Sequence, residues 1–397
     1  MWFPIANLHS VNSEDHNRLQ QMGYYLVNGQ EIFPTCFQAM HRATVLDTKD
    51  IRLVFDDDRF SAANWKQEPA ESLKSLYYQR ALQLRKKYNR LILRWSGGTD
   101  STCMVKVFLE NGIKVDLIIT STLGDEFPKT NPHRLEQLEN YHLISNLITE
   151  TNTPYIPIDI IDYYTDGFYD PWFFFTGNSS RPTTRAKTRS IYTVPLIRQW
   201  LESEQHVGMI CGLEKPQLVL DNGEISAYFN DRTIMNTWES FNYDRSRIEF
   251  CMHRERFFTT GDMPKITIKQ SHVMAKHFAT SDNLDVLRIG ARKTVVNTDQ
   301  RRAAIDLLYG DYCTADQFTE VPKESLFYPD KPVLGYRDNF LWVDAPKDDP
   351  RKAPILQAIN QYQTSIDPYW FKENNPWNLT IGILSRRYSL GIRHEQY

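Results

Sequence analysis

No run of about 18 apolar residues occurs in the 397-residue chain, so the sequence offers no membrane-spanning helix. An excess of one charge is missing too. With 46 basic against 49 acidic residues the net charge is −3, and no global positive field draws the chain to nucleic acid or an anionic membrane; a local basic groove stays open. The five cysteines, Cys36, Cys103, Cys211, Cys251 and Cys313, are widely separated, and no pair has the short spacing of a zinc site or a redox motif. They read as reduced thiols. The first ten residues lack a cationic segment followed by an apolar stretch, so the expected location is cytoplasmic. What remains, at 41% hydrophobic and 24% charged, is the composition of a globular chain of about two or three domains. Aromatics reach 13%, and most are expected in cores and interfaces.

The informative stretch is residues 91–110, Leu-Ile-Leu-Arg-Trp-Ser-Gly-Gly-Thr-Asp-Ser-Thr-Cys-Met-Val-Lys-Val-Phe-Leu-Glu. An apolar run stops at a glycine pair, and Met104, Val105, Phe108 and Leu109 then recur at helical spacing, which predicts a strand, a tight turn and a helix start. Polyphosphate is held where backbone N–H groups converge in front of a helix N-terminus. Gly97 and Gly98 bring the main chain close to phosphate oxygens, Ser96, Thr99 and Ser101 add hydroxyls, and Asp100 adds a carboxylate where Mg²⁺ is wanted. The turn contains no lysine to reach a γ-phosphate and no Gly-Lys-Ser/Thr, so it is not of the Walker type. The competing reading is a plain β-turn with an N-capping Thr or Asp.

Ser-Gly-Gly-Thr-Asp-Ser, residues 96–101, resembles the pyrophosphate loop (PP-loop) of the N-type ATP pyrophosphatases, which include asparagine synthetase, GMP synthetase, NAD synthetase and tRNA-modifying enzymes. The resemblance implies a Rossmann-type α/β fold, ATP as substrate with Mg²⁺, a loop that grips the β,γ-phosphates, and AMP and pyrophosphate as products. It also implies an acceptor, a small molecule or nucleotide, that is adenylated and then attacked by a nitrogen nucleophile. A second resemblance pulls elsewhere. Gly-x-x-Phe-Pro-x-Thr, residues 124–130, looks like a loop of phosphoadenylylsulfate reductases, yet no cysteine lies near the C-terminus as in those enzymes and no paired cysteines mark a thiolating one. A nucleotide-binding regulator without turnover is the third reading. Amidotransferases that share the loop start with a catalytic cysteine; Trp2 stands second here, so glutaminase chemistry is expected to be absent.

Three regions follow from the pattern. Residues 1–70 alternate short apolar runs with turns, Asn28-Gly29 marking a hairpin, and read as a small β-rich domain. Asp56 to Asp58 read as a solvated turn in preference to a cation site. Residues 71–229 alternate strands and helices (91–94, 99–110, 115–120, 133–149, 155–159, 207–211), which predicts a parallel sheet with helices on both faces. A helix over 72–88 precedes them, with Leu73, Leu76, Tyr77, Ala81 and Leu84 on its inner face, and a hairpin over 217–229 closes the region. Ligands bind at the carboxyl ends of such strands. Thr120 and Ser121, with Thr122, are therefore placed either to meet the adenosine or to be no more than a strand end. Cys-Gly-Leu-Glu-Lys-Pro, residues 211–216, resembles a second phosphate-contacting segment of several PP-loop enzymes, and the resemblance implies that Lys215 neutralises the leaving pyrophosphate. Glu214 beside it reads as solvent-facing. Arg185, within the cationic run Arg181, Arg185, Lys187 and Arg189, reads either as part of a lid over the triphosphate or as a solvated loop. Residues 230–397, with helices expected at 270–277, 298–309 and 355–363, read as an α-rich domain bordering the acceptor, where the parallel pattern has ended. Lys269 is its candidate catalytic residue, beside Gln270 and His272 at an expected strand-to-helix junction; His272 reads more readily as structural than as a base. Oligomeric state and the identity of the acceptor are not legible.

Overall fold

The computed structural model describes residues 6–122 (less 12 and several positions between 34 and 49), 132–159, 191–229 (less 204, 213, 214 and 222), 252–279, 298–319 and 385–393. Its centre is a five-stranded, all-parallel sheet. β5 (Arg90–Arg94) has β6 (Leu117–Thr122) and then β7 (Tyr155–Asp159) on one side, and β8 (Val207–Cys211) and then β11 (Met252–Arg256) on the other. The chain builds outward from β5 in one direction, returns, and builds outward in the other. The carboxyl end of β5 is thus the topological switch point, where the chain parts and a crevice opens.

Both faces of the sheet are covered, which explains the unbroken apolar character of its middle strands. Leu91, Leu93, Ile118 and Ile210 enter a core shared with α3 (Leu73–Lys87), α4 (Thr99–Glu110) and α6 (His142–Glu150). Ile92, Ile119 and Met209 are buried as well. On the face of Ile92, Arg90 stands over the Trp200 ring of α7 (Pro195–Glu202) at 5.3 Å, and α7 buries Ile197, Trp200 and Leu201. α3 begins at Ser72, whose hydroxyl caps the Ser75 N–H at 3.2 Å, and buries the five residues its spacing predicts. The helix expected over 133–149 is two, α5 (Pro132–Asn140) and α6, parted at Tyr141.

Two antiparallel sheets flank this layer. β1 (Ala6–Asn7), β3 (Glu31–Phe33), β2 (Tyr24–Val27) and β4 (Ile51–Val54) lie in that order, with the expected turn at Asn28 and Gly29, both at positive φ. α1 (Ser13–Met22) precedes this hairpin and α2 (Asp57–Ala62) follows β4. The hairpin β9 (Gln217–Asp221) and β10 (Glu224–Tyr228) is joined by the distant β12 (Tyr388–Arg393).

Three expectations are corrected. The parallel pattern does not end after Phe229, because Met252–Arg256 is the fifth parallel strand; its sequence, Met-His-Arg-Glu-Arg, carries four polar residues and hides the strand from a hydrophobicity reading. Residues 266–272 are no strand-to-helix junction but the interior of α8 (Pro264–Ala279). Asp56 and Asp57 do not form a solvated turn. Both are buried: Asp56 accepts the Gly261 N–H at 2.8 Å, and Asp57 accepts the Phe55 N–H at 3.1 Å and lies 3.4 Å from Arg386. Burial pushes both carboxyls above their ordinary range. Among the described residues no group of three His, Cys, Asp or Glu side chains could hold a metal, and no helix is long and apolar enough to cross a membrane. The helix expected at 298–309 is present as α9 (Thr298–Tyr309), and it and α8 share the core of α3 and α4. The helix expected at 355–363 lies outside the described residues.

One buried charge sits on the apolar face of α3. Arg80 is fully buried, in line with Leu76 and Leu84, and donates to Glu255 of β11 and to the Arg256 carbonyl, each at 2.8 Å. Lys87 and the Tyr88 hydroxyl also donate to Glu255. Burial alone would push the Glu255 carboxyl up; Arg80, followed by Lys87 and Tyr88, outweighs it and holds the group below its ordinary value. Removing one partner of such a pair strands the other, so Arg80→Ala is expected to cost about 3–5 kcal/mol in chemical denaturation at neutral pH. The pH dependence has a fixed sign. A depressed carboxyl contributes stability above its unfolded value, about 4.3, and loses that contribution as pH falls through the lower folded value. The stability gap between the parent chain and Glu255→Gln should therefore be widest at neutral pH and shrink in acid; a gap that widened on acidification would contradict this assignment.

Candidate functional site

The turn after β5 is a compact, self-bonded unit. The Ser101 hydroxyl donates to the Gly98 carbonyl at 3.0 Å and accepts from the Ser96 N–H at 3.0 Å, while the Ser96 hydroxyl lies 3.0 Å from it. Trp95 anchors the entry, its backbone N–H reaching the Ile119 carbonyl and its indole N–H the Thr102 hydroxyl, both at 2.9 Å. α4 starts with Gly98 as its N-cap. A glycine has no side chain to cap with, so the first-turn N–H groups of α4 receive no capping side chain.

The two glycines of the turn do different work. Gly97 has φ +83, and a Cβ there would stand 2.8 Å from the backbone of Gln137 in α5. Gly98 has φ −82, and a Cβ there would meet nothing closer than a Glu136 carboxylate oxygen at 3.6 Å. The fold requires the first and tolerates a methyl at the second. The neighbours hold the turn from outside: the Asn140 amide donates to the Gly97 carbonyl at 2.9 Å and accepts from the Thr319 N–H at 3.1 Å, and the Gln137 amide donates to the Ser121 carbonyl at 2.9 Å. On the far side, a Cβ on Gly212 would stand 2.7 Å from the Asp100 carbonyl oxygen. The exit of β8 is thus pressed against the start of α4.

That approach brings two of the sequence candidates together. Lys215 donates to Asp100 at 2.7 Å across 115 residues of chain, both side chains about one-quarter exposed. Ser96, Gly97, Gly98, Thr99, Asp100 and Ser101 form the turn as the motif predicts. Thr120 and Ser121 lie at the carboxyl end of β6, the next strand, but both are buried within the sheet, paired with Pro157 and Ile158. Lys269 stands beside other residues: its ammonium is held by Glu68 at 2.6 Å and by the Pro69 carbonyl at 3.0 Å. His272 Nε2 donates to the Trp65 carbonyl at 2.8 Å, and the Gln270 amide donates to the Tyr77 hydroxyl at 2.9 Å. Arg185 and its cationic neighbours, Glu214 and the 124–130 motif lie outside the described residues.

Some site residues carry no sequence signal of their own. Asn140 ends a polar amphipathic helix, and Tyr309 ends α9 with its ring 5.4 Å beneath the Lys215 ammonium. Among acidic groups near the turn only Asp100 belongs to it. Mg²⁺ commonly takes one or two carboxylates and completes its shell with phosphate oxygens and water, so the donor set fits a cation shared with a polyphosphate and no all-protein cage. Asp100 is the residue that would hold it.

No protein-family model matches the chain, and none of the curated proteins does. Among solved structures, NMN synthetase from Francisella tularensis is similar over 74% of this chain and 94% of that one, at 12% identity and a TM-score of 0.27. A likeness of that degree carries no inference about activity.

The two glycines give a test. Gly97→Ala is expected to lower the melting temperature by about 2 °C or more, from about 1 kcal/mol or more of strain. Gly98→Ala should leave melting nearly unchanged and instead weaken polyphosphate binding, measured by calorimetry. The reverse pattern would mean that the turn is held by Gly98 and that its role is structural.

Proposed function

We propose that the chain binds ATP at the carboxyl edge of β5 and breaks the bond between the α- and β-phosphates, adenylating an acceptor that a nitrogen nucleophile then attacks. The observation that carries the reading is the meeting of an uncapped helix start, a positive-φ glycine and the Asp100–Lys215 pair at the switch point of a parallel sheet. The N–H groups of the first turn of α4 suit the β,γ-phosphates. Lys215 neutralises charge that develops on the departing pyrophosphate, and Asp100 would hold a Mg²⁺ ion, which would supply further neutralisation of phosphate charge. Within the turn no lysine attends the γ-phosphate, which favours α,β cleavage over γ-transfer.

Sulfur transfer finds less support. Cys103, Cys211 and Cys313 are buried, and burial pushes the thiols of Cys103 and Cys211 upward, away from the thiolate such chemistry uses. A regulator that binds without turnover would use the same turn, and only products separate it from an enzyme. The domain assignment enters here as well: residues 230–397 are proposed to border the acceptor.

Nucleotide products decide the reaction. Incubation with ATP, Mg²⁺ and candidate acceptors, followed by chromatography, should yield AMP and pyrophosphate in equal amounts; ADP with orthophosphate would refute the proposal. Lys215→Ala should slow turnover by about 10² or more, as loss of a group aimed at developing charge does. Asp100→Asn should stay folded and lose its dependence on Mg²⁺ along with most turnover.

A further inference from the structure

The ion pair at the turn has a third member that the proposed reaction has not used. Tyr309, the last residue of α9, is fully buried, and the Lys215 ammonium lies 5.4 Å from its ring centroid. The ring is fixed from within by Phe258 at 5.2 Å and Tyr77 at 6.4 Å, centroid to centroid. Tyr77 is itself locked: its hydroxyl donates to the Leu308 carbonyl at 3.0 Å and accepts from Gln270. Tyr309 is therefore a rigid floor and not a mobile side chain. Its buried hydroxyl lies beside Asp100, and after burial itself the Asp100 carboxylate is the largest influence pushing that phenol upward, by its charge and by side-chain hydrogen bonding. The residues just beyond it grip the same helix: the Tyr312 carbonyl accepts from Lys106 at 2.5 Å, the Tyr312 hydroxyl accepts from Asn111 at 3.2 Å, and Thr319 reaches Gly97 through Asn140.

We infer that Tyr309 is a positioning residue for Lys215, its ring face holding the ammonium at the turn when a polyphosphate draws it away from Asp100. A cation over an aromatic face is attracted by the ring quadrupole, and the attraction strengthens where water is excluded, as it is beneath a one-quarter-exposed lysine. Asp100 alone would leave the ammonium on a flexible four-carbon stem once the carboxylate turned to a cation. A floor below it keeps the charge where phosphate oxygens would lie. The inference rests on the proposed nucleotide site.

A double-mutant cycle on binding tests it. Calorimetry with Mg²⁺ and an ATP analogue that cannot be cleaved between the α- and β-phosphates needs no knowledge of the acceptor. Tyr309→Leu, which keeps an apolar side chain but removes the ring face, should weaken binding about tenfold, near the upper range for a desolvated cation–π contact. Tyr309→Phe should restore affinity to within about twofold of the parent chain. In a Lys215→Ala background, Tyr309→Leu should have no further effect, because the residue acts through the lysine. A purely structural role would give the same loss in both backgrounds, in step with a fall in melting temperature, and would overturn the inference. A parent chain that binds no analogue would overturn both this inference and the nucleotide site, whereas additive losses on a binding-competent parent chain would overturn this inference alone.

Discussion

A helix whose N-cap is a glycine has four N–H groups at its start and no capping side chain to answer them. In α4 that deficit is built in by Gly98 and protected by its surroundings. The turn satisfies itself through the Ser96 and Ser101 hydroxyls, and the neighbouring backbone can close in only because Gly97 faces α5 and Gly212 faces Asp100. A side chain at either glycine would wedge the helix start away from its neighbours. The same closeness carries Lys215 to Asp100. A geometric constraint on two glycines thus fixes an electrostatic feature formed by residues more than a hundred positions apart.

The supports of this arrangement come from the whole chain. Apolar residues of α8 and α9 share one core with α3 and α4, and so do Phe55, Phe60 and Trp65 from the N-terminal part. Arg80 ties α3 to β11 through Glu255, and Asp56 ties the start of α2 to Gly261. These are buried charges with hydrogen-bonded partners, the only condition under which such burial is tolerable. They fix where β11 and α8 lie, and through the Phe258–Tyr309 contact they fix the ring under Lys215. Residues that never approach the turn therefore determine its shape.

The turn was legible because its chemistry is local. Glycines, hydroxyls and an acid stand in six consecutive positions between an apolar run and an amphipathic one, and β5, α4, β7, β8 and α9 fall where periodicity puts them. Lys215 drew attention through the resemblance of the segment after β8 to a phosphate-contacting one, and what the structure adds is its pairing with Asp100 at 2.7 Å. β11 was not legible, because an edge strand that carries His253, Arg254, Glu255 and Arg256 has no apolar signature; its membership is decided by pairing with β8 and by Arg80. The surroundings of Lys269 were hidden for a related reason. A crowd of polar residues suggests a site, yet within α8 each has found a structural partner, Glu68, Tyr77 or Trp65. Asp56 and Asp57 likewise looked solvent-facing until Gly261 and Arg386, each more than 200 residues away, supplied their partners.

The pairing of Asp100 with Lys215 also bears on how a phosphate chain and a cation would share the proposed site. With neither present, the two side chains neutralise one another at 2.7 Å. A polyphosphate offers the ammonium a more highly charged partner, and each step of the lysine toward it leaves the carboxylate less compensated. A cation then finds Asp100 more attractive, and by linkage a cation on Asp100 makes the lysine more available to phosphate. Cation and nucleotide would bind with mutual assistance even if they never touched. The ring of Tyr309 sets the limit of that exchange, because it is fully buried and lies 5.4 Å from the ammonium. Charge at the turn can thus be redistributed between Asp100 and Lys215 while the lysine stays beside the ring, as the proposed pyrophosphate site would require.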